Sequence, residues 1–194
     1  MRVIAGTLKG RRLFTPDWDG LRPTSDKLRE TLFNVVASRI DGARVLDGFA
    51  GTGAVGIEAL SRGAAHVTFV EADGRAVRLI QRNIDHCRVS DRYAIIRARF
   101  ADAARRLSAG SFGLVFLDPP YQSDDTAVVL EAAAPLVAPD GLVVLEHARR
   151  DVAPQVAASI MKTRNILSGD SALTLYGATG HQPTAGGFRL PPSG

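Results

Sequence analysis

The sequence predicts a doubly wound, mostly parallel, seven-stranded α/β sheet preceded by a small N-terminal β-hairpin and helix. Three observations carry that expectation. From Ala43 onward, short apolar runs alternate with helix-like segments, the rhythm of crossover units that put helices on both faces of a parallel sheet. A glycine-rich turn joins the first run to its helix, as in sheets that bind a ligand at the carboxyl ends of their strands. At 194 residues the chain is long enough to bury the core of one such domain.

The elements follow in order. "RVIAG" and "RRLFTP", joined by "TLKG" with Gly10 near its end, read as a basic hairpin. "RPTSDKLRETLFNVVASRI" reads as a helix, with Thr24 or Ser25 as N-cap and Leu28, Leu32, Val35 and Val36 on one apolar face. Asp41-Gly42 ends this segment, so residues 1–41 form an extension and 42–178 the main domain. Five strand-like runs come next, "ARVLDGF", "HVTFVEA", "YAIIRA", "GLVFLD" and "GLVVLE". Helical patterns follow each of them: "AVGIEALSRG", "DGRAVRLIQRNIDHC", "DAARRLS", "DDTAVVLEAAAPLV" and "DVAPQVAASI". "MKTRNIL" and "SALTLYGA", separated by "SGD", add an antiparallel edge hairpin and bring the count to seven strands. The Gly/Pro-rich tail, 179–194, has no apolar period and is expected to be disordered.

Composition narrows the function classes. Hydrophobic residues make up 45% and charged residues 23% of the chain, values of a folded soluble domain and not of a disordered one. Cys87 is the only cysteine, which excludes a disulfide framework and a thiolate metal cluster and suits a reducing cytoplasm. No segment reaches membrane-span length. A cytoplasmic monomer without metal or membrane partner is expected. The charge is uneven: residues 1–40 hold eight Lys/Arg and four acids, whereas basic and acidic side chains balance in the rest. The whole net charge of +4 therefore lies where a polyanion can use it, although a basic run also reads as a solvated face.

"VLDGFAGTGAVGIEAL" is strand, turn and helix around Gly51-Thr52-Gly53-Ala54-Val55-Gly56. Such glycines let a nucleotide-like ligand approach the backbone at a helix N-terminus. Glu71, twenty residues after Gly51, ends the second strand where a carboxylate accepts ribose hydroxyls. The pattern alone is shared by dinucleotide and S-adenosylmethionine sites. Asp47 separates them: a carboxylate ending the first strand opposes a pyrophosphate but suits the ammonium of a methionine moiety. Its alternative role is to accept N–H groups of the turn itself. Asp102 is a further candidate, for an adenine amino group or as a helix N-cap. The expected cofactor set is Asp47, Gly51, Thr52, Gly53, Glu71, Ala72, Asp102 and Asp118.

Asp118-Pro119-Pro120-Tyr121 ends the fourth strand, which neighbours the first at the switch point of such a sheet and faces the glycine loop. The two rings fix the local backbone, leaving the Asp118 carboxylate and the Pro119 carbonyl as acceptors with few donors nearby. An exocyclic amino group of a base, or a side-chain amide, presents the two N–H groups such a cluster would hold. Gripping them aims the nitrogen lone pair at a sulfonium methyl, so positioning and electrostatics suffice. Tyr121 offers a ring for an extruded base. The alternative is a Pro-Pro turn whose acid caps the next helix. The four histidines suggest no site; His147, near the crevice, reads as a packing or surface residue.

Taken together, "MRVIAGTLKGRRL", "RPTSDKLRETLFNVV", "VLDGFAGTGAVGIEALSRGA", "FVEAD" and "LVFLDPPY" resemble the RsmD family of bacterial methyltransferases over roughly Met1 to Tyr176. The resemblance implies a Rossmann-like class I methyltransferase that uses S-adenosyl-L-methionine to methylate the exocyclic N2 of a guanine in small-subunit ribosomal RNA. Its partner would be that RNA or the assembling 30S subunit. It also implies cofactor roles for Asp47, Gly51, Gly53 and Glu71, a base-gripping role for Asp118, Pro119, Pro120 and Tyr121, and RNA contacts from Arg2, Lys9, Arg11, Arg12, Arg22, Lys27 and Arg29. Gly48 departs from the family, which usually has a bulky apolar residue there, and is expected to loosen the packing behind the loop. The competing readings are an adenine-N6 methyltransferase acting on DNA or RNA, a non-catalytic RNA-binding module, and an NAD-dependent oxidoreductase, for which no hydride-transfer constellation is present.

Overall fold

The computed structural model describes residues 1–18, 25–120 and 126–179. Its sheet has eight strands in the order β3-β2-β1-β4-β5-β8-β7-β6. β1 (Arg44–Asp47), β2 (His66–Glu71), β3 (Tyr93–Arg97), β4 (Phe112–Leu117) and β5 (Val137–Ala148) run parallel. β6 (Val156–Ala157), β7 (Ile160–Ser168) and β8 (Ser171–Ala178) join β5 as an antiparallel edge. The doubly wound expectation holds, with one strand more than the seven read from the sequence. The extra strand replaces the helix expected in "DVAPQVAASI". Pro154 denies that segment an N–H, its carbonyl accepts from the Tyr176 hydroxyl at 2.9 Å, and Val156 pairs with Met161 in a tight hairpin.

Strand period 2 divides the interior into two cores. Val45, Phe69, Leu114, Phe116 and Val144 face one side, under α1 (Asp26–Val35), α3 (Ala54–Ser61) and α4 (Gly74–Cys87). Leu46, Val70, Val115, Leu117, Val143 and Leu145 face the other, under α5 (Phe100–Ala104) and α6 (Thr126–Ala133). α1 starts where expected, with the Ser25 hydroxyl accepting from Leu28 N at 3.2 Å. It breaks at Val36 before the short α2 (Ala37–Ile40).

The N-terminal hairpin forms as a single isolated bridge, Arg2 with Arg12, closed by Val3 N to Arg11 O at 2.9 Å, Gly10 N to Val3 O at 2.9 Å and Leu13 N to Met1 O at 3.1 Å. Other backbone donors of the segment reach α3: Ile4 N and Ala5 N bond to Glu58 Oε2 and Oε1 at 2.7 and 3.0 Å, and Thr7 N bonds to Ser61 O at 2.8 Å. The segment is therefore sewn to α3, and Val3, Leu13, Leu28 and Phe33 belong to the first of the two cores. At the other end Thr179 still bonds to Ser159 O; the tail from 180 onward lies outside the described residues, as do Arg22 and Tyr121.

Candidate active site

β1 lies between β2 and β4, so the crossovers diverge there and a crevice opens beyond the strand ends. A cleft of about 1750 Å³ fills it. Four neighbouring parallel strands carry a carboxylate on this cleft at or near their carboxyl ends: Glu71 ends β2, Asp47 ends β1, Asp118 follows β4, and Glu146 lies near the end of β5, before His147 and Ala148. The sequence marks all four in the same way, as the acid closing "TFVE", "RVLD", "VFLD" and "VVLE". Only Glu146 is absent from the expected site.

Each acid has a distinct setting. Asp47 is buried, and its Oδ2 accepts from Gly56 N at 3.0 Å. Its Oδ1 has no hydrogen-bond partner among the described residues, so the turn satisfies half of the carboxylate. Burial, then the negative charges of Asp118 and Glu71, push its pKa up to about 7 against the Gly56 bond. Glu71 accepts from Gly51 N at 2.9 Å and from Asp73 N at 2.8 Å. It braces the glycine loop, a role the sequence does not announce, and each oxygen keeps a lone pair for a ligand. Burial raises Asp118 to about 6 and Glu146 to about 8, with the Asp118 charge adding to the latter.

The loop is built by close approach. Gly53 caps α3 at φ 77°, a left-handed conformation that side chains disfavour. A Cβ on Gly56 would lie 2.2 Å from Cε1 of Phe69, so α3 sits directly on β2. Asn83 of α4 holds the loop from behind, its Nδ2 donating to Thr52 O at 2.9 Å and its Oδ1 accepting from Phe14 N at 2.7 Å.

Of the expected cofactor residues, Asp47, Gly51, Thr52, Glu71, Ala72 and Asp118 line the cleft; Gly53 shapes the turn without forming its wall. Asp102 is a correction. α5 begins at Phe100 with Arg99 as N-cap, so Asp102 falls in the first turn, pairs with Arg105 on the exterior and neither caps the helix nor lines the cleft. Arg99 and Phe100 line it instead. Gly48 is a second correction. A Cβ there would lie 2.8 Å from both Leu117 Cδ2 and Phe100 Cε2, so the space behind the loop is filled, not loosened.

Pro119 and Pro120 line the cleft beside Asp118. Arg2, Lys9, Arg12 and Lys27 are exposed, and Arg11 is half-buried with Nη1 donating to His86 O at 3.2 Å. Arg29 is the third correction. It is 0% exposed, and its Nη2 donates to Arg2 O at 2.8 Å and Asp26 Oδ1 at 2.6 Å, so it supports the segment and offers nothing to a phosphate. His147 is a packing residue, buried with Nε2 2.8 Å from Thr174 Oγ1.

Comparison with known proteins decides the family. The family described as "Conserved hypothetical protein 95" matches residues 1–177. Ribosomal RNA small subunit methyltransferase D of Escherichia coli is 35% identical over 179 residues, covering 91% of this chain and 89% of that one. The chain belongs to the RsmD family. YlbH of Bacillus subtilis, 36% identical over 183 residues, covers 91% of this chain and is itself covered to 98%. The solved structure of Escherichia coli yhhF superposes with a TM-score of 0.80 at 30% identity, over 91% of this chain and 96% of that one. The fold is thus the Rossmann-like class I methyltransferase fold, built here on a mixed eight-stranded sheet. Among the described residues no helix is long and apolar enough to cross a membrane, and no cluster of three or more metal-ligating side chains occurs.

Proposed function

We propose that this RsmD-family chain is an S-adenosyl-L-methionine-dependent methyltransferase that methylates the exocyclic N2 of a guanine in small-subunit ribosomal RNA, during or after subunit assembly. The observation that carries the reading is the row of strand-end carboxylates with the Asp118-Pro119 acceptors in its middle. Asp47 is buried, and Glu71, Asp118 and Glu146 are half-buried. None makes an ion pair among the described residues, so a ligand bringing positive charge and N–H donors suits them. The name of the Escherichia coli relative supports ribosomal RNA as substrate.

S-adenosylmethionine would bring an electrophilic methyl on a sulfonium, together with an ammonium. Asp47 would pair with that ammonium, Glu71 would receive the ribose hydroxyls, and Phe100 would wall the adenine side. Asp118 and the Pro119 carbonyl accept the two N–H bonds of the guanine N2 and hold its lone pair in line with the methyl carbon. Asp118 or water would take the proton that N2 loses on methylation. Residues 1–41 serve as the RNA-binding extension of the 42–178 domain, presenting Arg2, Lys9, Arg11, Arg12 and Lys27 to phosphates; Arg22 would add a further contact. Tyr121 would stack on the extruded base.

The test incubates the protein and radiolabelled S-adenosylmethionine with unmodified small subunits, deproteinised ribosomal RNA and duplex DNA. Label is expected in N2-methylguanosine from the RNA or the subunits, and absent with Asp118→Ala. Label in N6-methyladenine, or none from any substrate, overturns the reading.

A further inference from the structure

Glu146 has no place in the mechanism above, yet its carboxylate stands in the same cleft as Asp118, Pro119 and Pro120. It is fixed there by strand register: Leu145 of β5 is level with Leu117 of β4, so Glu146 lies beside Asp118 at the same sheet edge. The methyl-donor side of the cleft is over β1 and β2, where Asp47 and Glu71 stand. Glu146 lies on the opposite side of Asp118, toward β8, whose Ser171 and Leu173 continue the wall.

Its surroundings do not explain it as a structural acid. Ser171 Oγ donates to Oε1 at a long 3.3 Å, and Oε2 has no hydrogen-bond partner among the described residues. No lysine or arginine within salt-bridge distance neutralises it among the described residues, although Arg149 and Arg150 line the same cleft. The nearest charge acting on it is the Asp118 carboxylate, of like sign. A carboxylate held beside another with one long hydrogen bond is costly unless a ligand supplies donors.

The chemistry of the two candidate bases then differs. Guanine presents three N–H bonds along one edge, two on N2 and one on the adjacent N1. Adenine presents two on N6 and an N1 lone pair beside them. With N2 held by Asp118 and Pro119 next to the methyl donor, the ring extends away from the donor, over the ends of β5 and β8. A third acceptor there matches N1–H and repels an N1 lone pair. From this geometry we infer that Glu146 is the specificity-determining residue that reads guanine, its carboxylate accepting the N1–H while Asp118 and Pro119 hold N2. The inference rests on the guanine-N2 reading and says how a cluster that by itself fits either amino group selects one.

The probe is 2,6-diaminopurine, which keeps the N2 amino group but has a lone pair at N1. The guanine labelled by the wild-type enzyme is located, replaced by 2,6-diaminopurine through splinted ligation, and the RNA is reconstituted into subunits. Wild-type protein is expected to prefer guanine over the analogue by about 10- to 200-fold in kcat/KM, the range of one well-made base contact. Glu146→Gln, whose amide can donate to N1, is expected to lose guanine activity by a similar factor and to narrow or reverse the preference. S-adenosylhomocysteine affinity, measured by calorimetry for wild type, Glu146→Gln and Glu146→Ala, is expected to stay within about threefold. If Glu146→Gln keeps the wild-type preference, or loses activity only together with cofactor-product binding, the assignment of Glu146 is wrong while the N2 reading stands. If wild-type protein labels no guanine N2, both fall.

Discussion

At the residue scale, the pair that most affects the loop is Gly48 and Phe100. The resemblance predicts a gap at Gly48, but the Phe100 ring occupies the volume, 5.3 Å from the Phe49 ring centroid and against the position a Cβ at 48 would take. Cores are close-packed, so the exchange of a side chain at one position for a larger one at its neighbour conserves volume. Gly48→Leu is therefore expected to destabilise the protein by about 1–3 kcal/mol through overpacking. Phe100→Ala is expected to cost about 3–5 kcal/mol by cavity formation. The double variant should be less destabilised than the sum, with a coupling of about 0.5–3 kcal/mol. Urea unfolding of the four proteins measures it; strict additivity would show that the two side chains do not share the space.

At the element scale, the attachment of the N-terminal segment to α3 depends on one fully buried acid. Glu58 accepts from Ile4 N, Ala5 N and Arg62 Nε, the last at 2.7 Å, and its Oε2 stands 3.9 Å from Arg29 Nη1. Arg29 Nε and Nη1 are buried without a hydrogen-bond partner among the described residues, and Asp26, 2.6 Å from Nη2, together with Glu58 provides the charge that makes the guanidinium tolerable there. Glu58→Ala leaves Arg29 less compensated and frees two backbone donors. The expected loss is about 3–5 kcal/mol, seen as a lowered urea midpoint, with early proteolysis before α1 as its local signature. A loss under 1 kcal/mol would mean that the bonds to Ser61 and the apolar packing of Val3 and Leu13 hold the segment without Glu58.

At the scale of the whole molecule, charge sets two measurable behaviours. The first follows from the proposed RNA interface. Arg12→Ala or Lys9→Ala should each lower the slope of log affinity against log salt by about 0.7–0.9, one phosphate contact, whereas Arg29→Met should act on stability and leave the slope alone. Equal slope changes at Arg12 and Arg29 would contradict the burial of Arg29. The second is pH dependence without ligand. Asp118, Asp47 and Glu146 have folded pKa values raised by burial to about 6, 7 and 8, above the unfolded range near 4. Their contribution is fully present below that range and is lost as pH rises through 6 to 8. His66, whose pKa burial lowers, works in the opposite sense from one partly exposed ring. Asp73, whose pKa is lowered by its hydrogen bonds to Arg75, acts only at lower pH. The free protein should therefore be less stable at pH 8.5 than at pH 5, by an amount on the order of a few kcal/mol. If its ammonium sits on Asp47 as proposed, S-adenosylhomocysteine should reduce that difference. A flat urea midpoint from pH 5 to 8.5 would show that these acids are better solvated than the cleft geometry implies.

The sequence by itself determined the sheet, the glycine turn, the family and the acids that close its strands, because each is a local pattern: strand runs alternate with helices, glycines fall where the backbone turns, and a carboxylate at the end of an apolar run marks its own position. It also carried Glu146, unread, in "GLVVLE": that acid closes its run as the other three do, and strand order is what shows that it shares their cleft. Tertiary structure alone decided which acids share one cleft, because strand order sets β5 beside β4 although the two strands are separated by a helix in sequence. It likewise decided that Arg29 is enclosed while Arg2 and Arg12 are exposed, and that Asp102 turns outward while Phe100 turns in. Those outcomes depend on what packs against each side chain across the fold, and that information lies in distant segments of the chain.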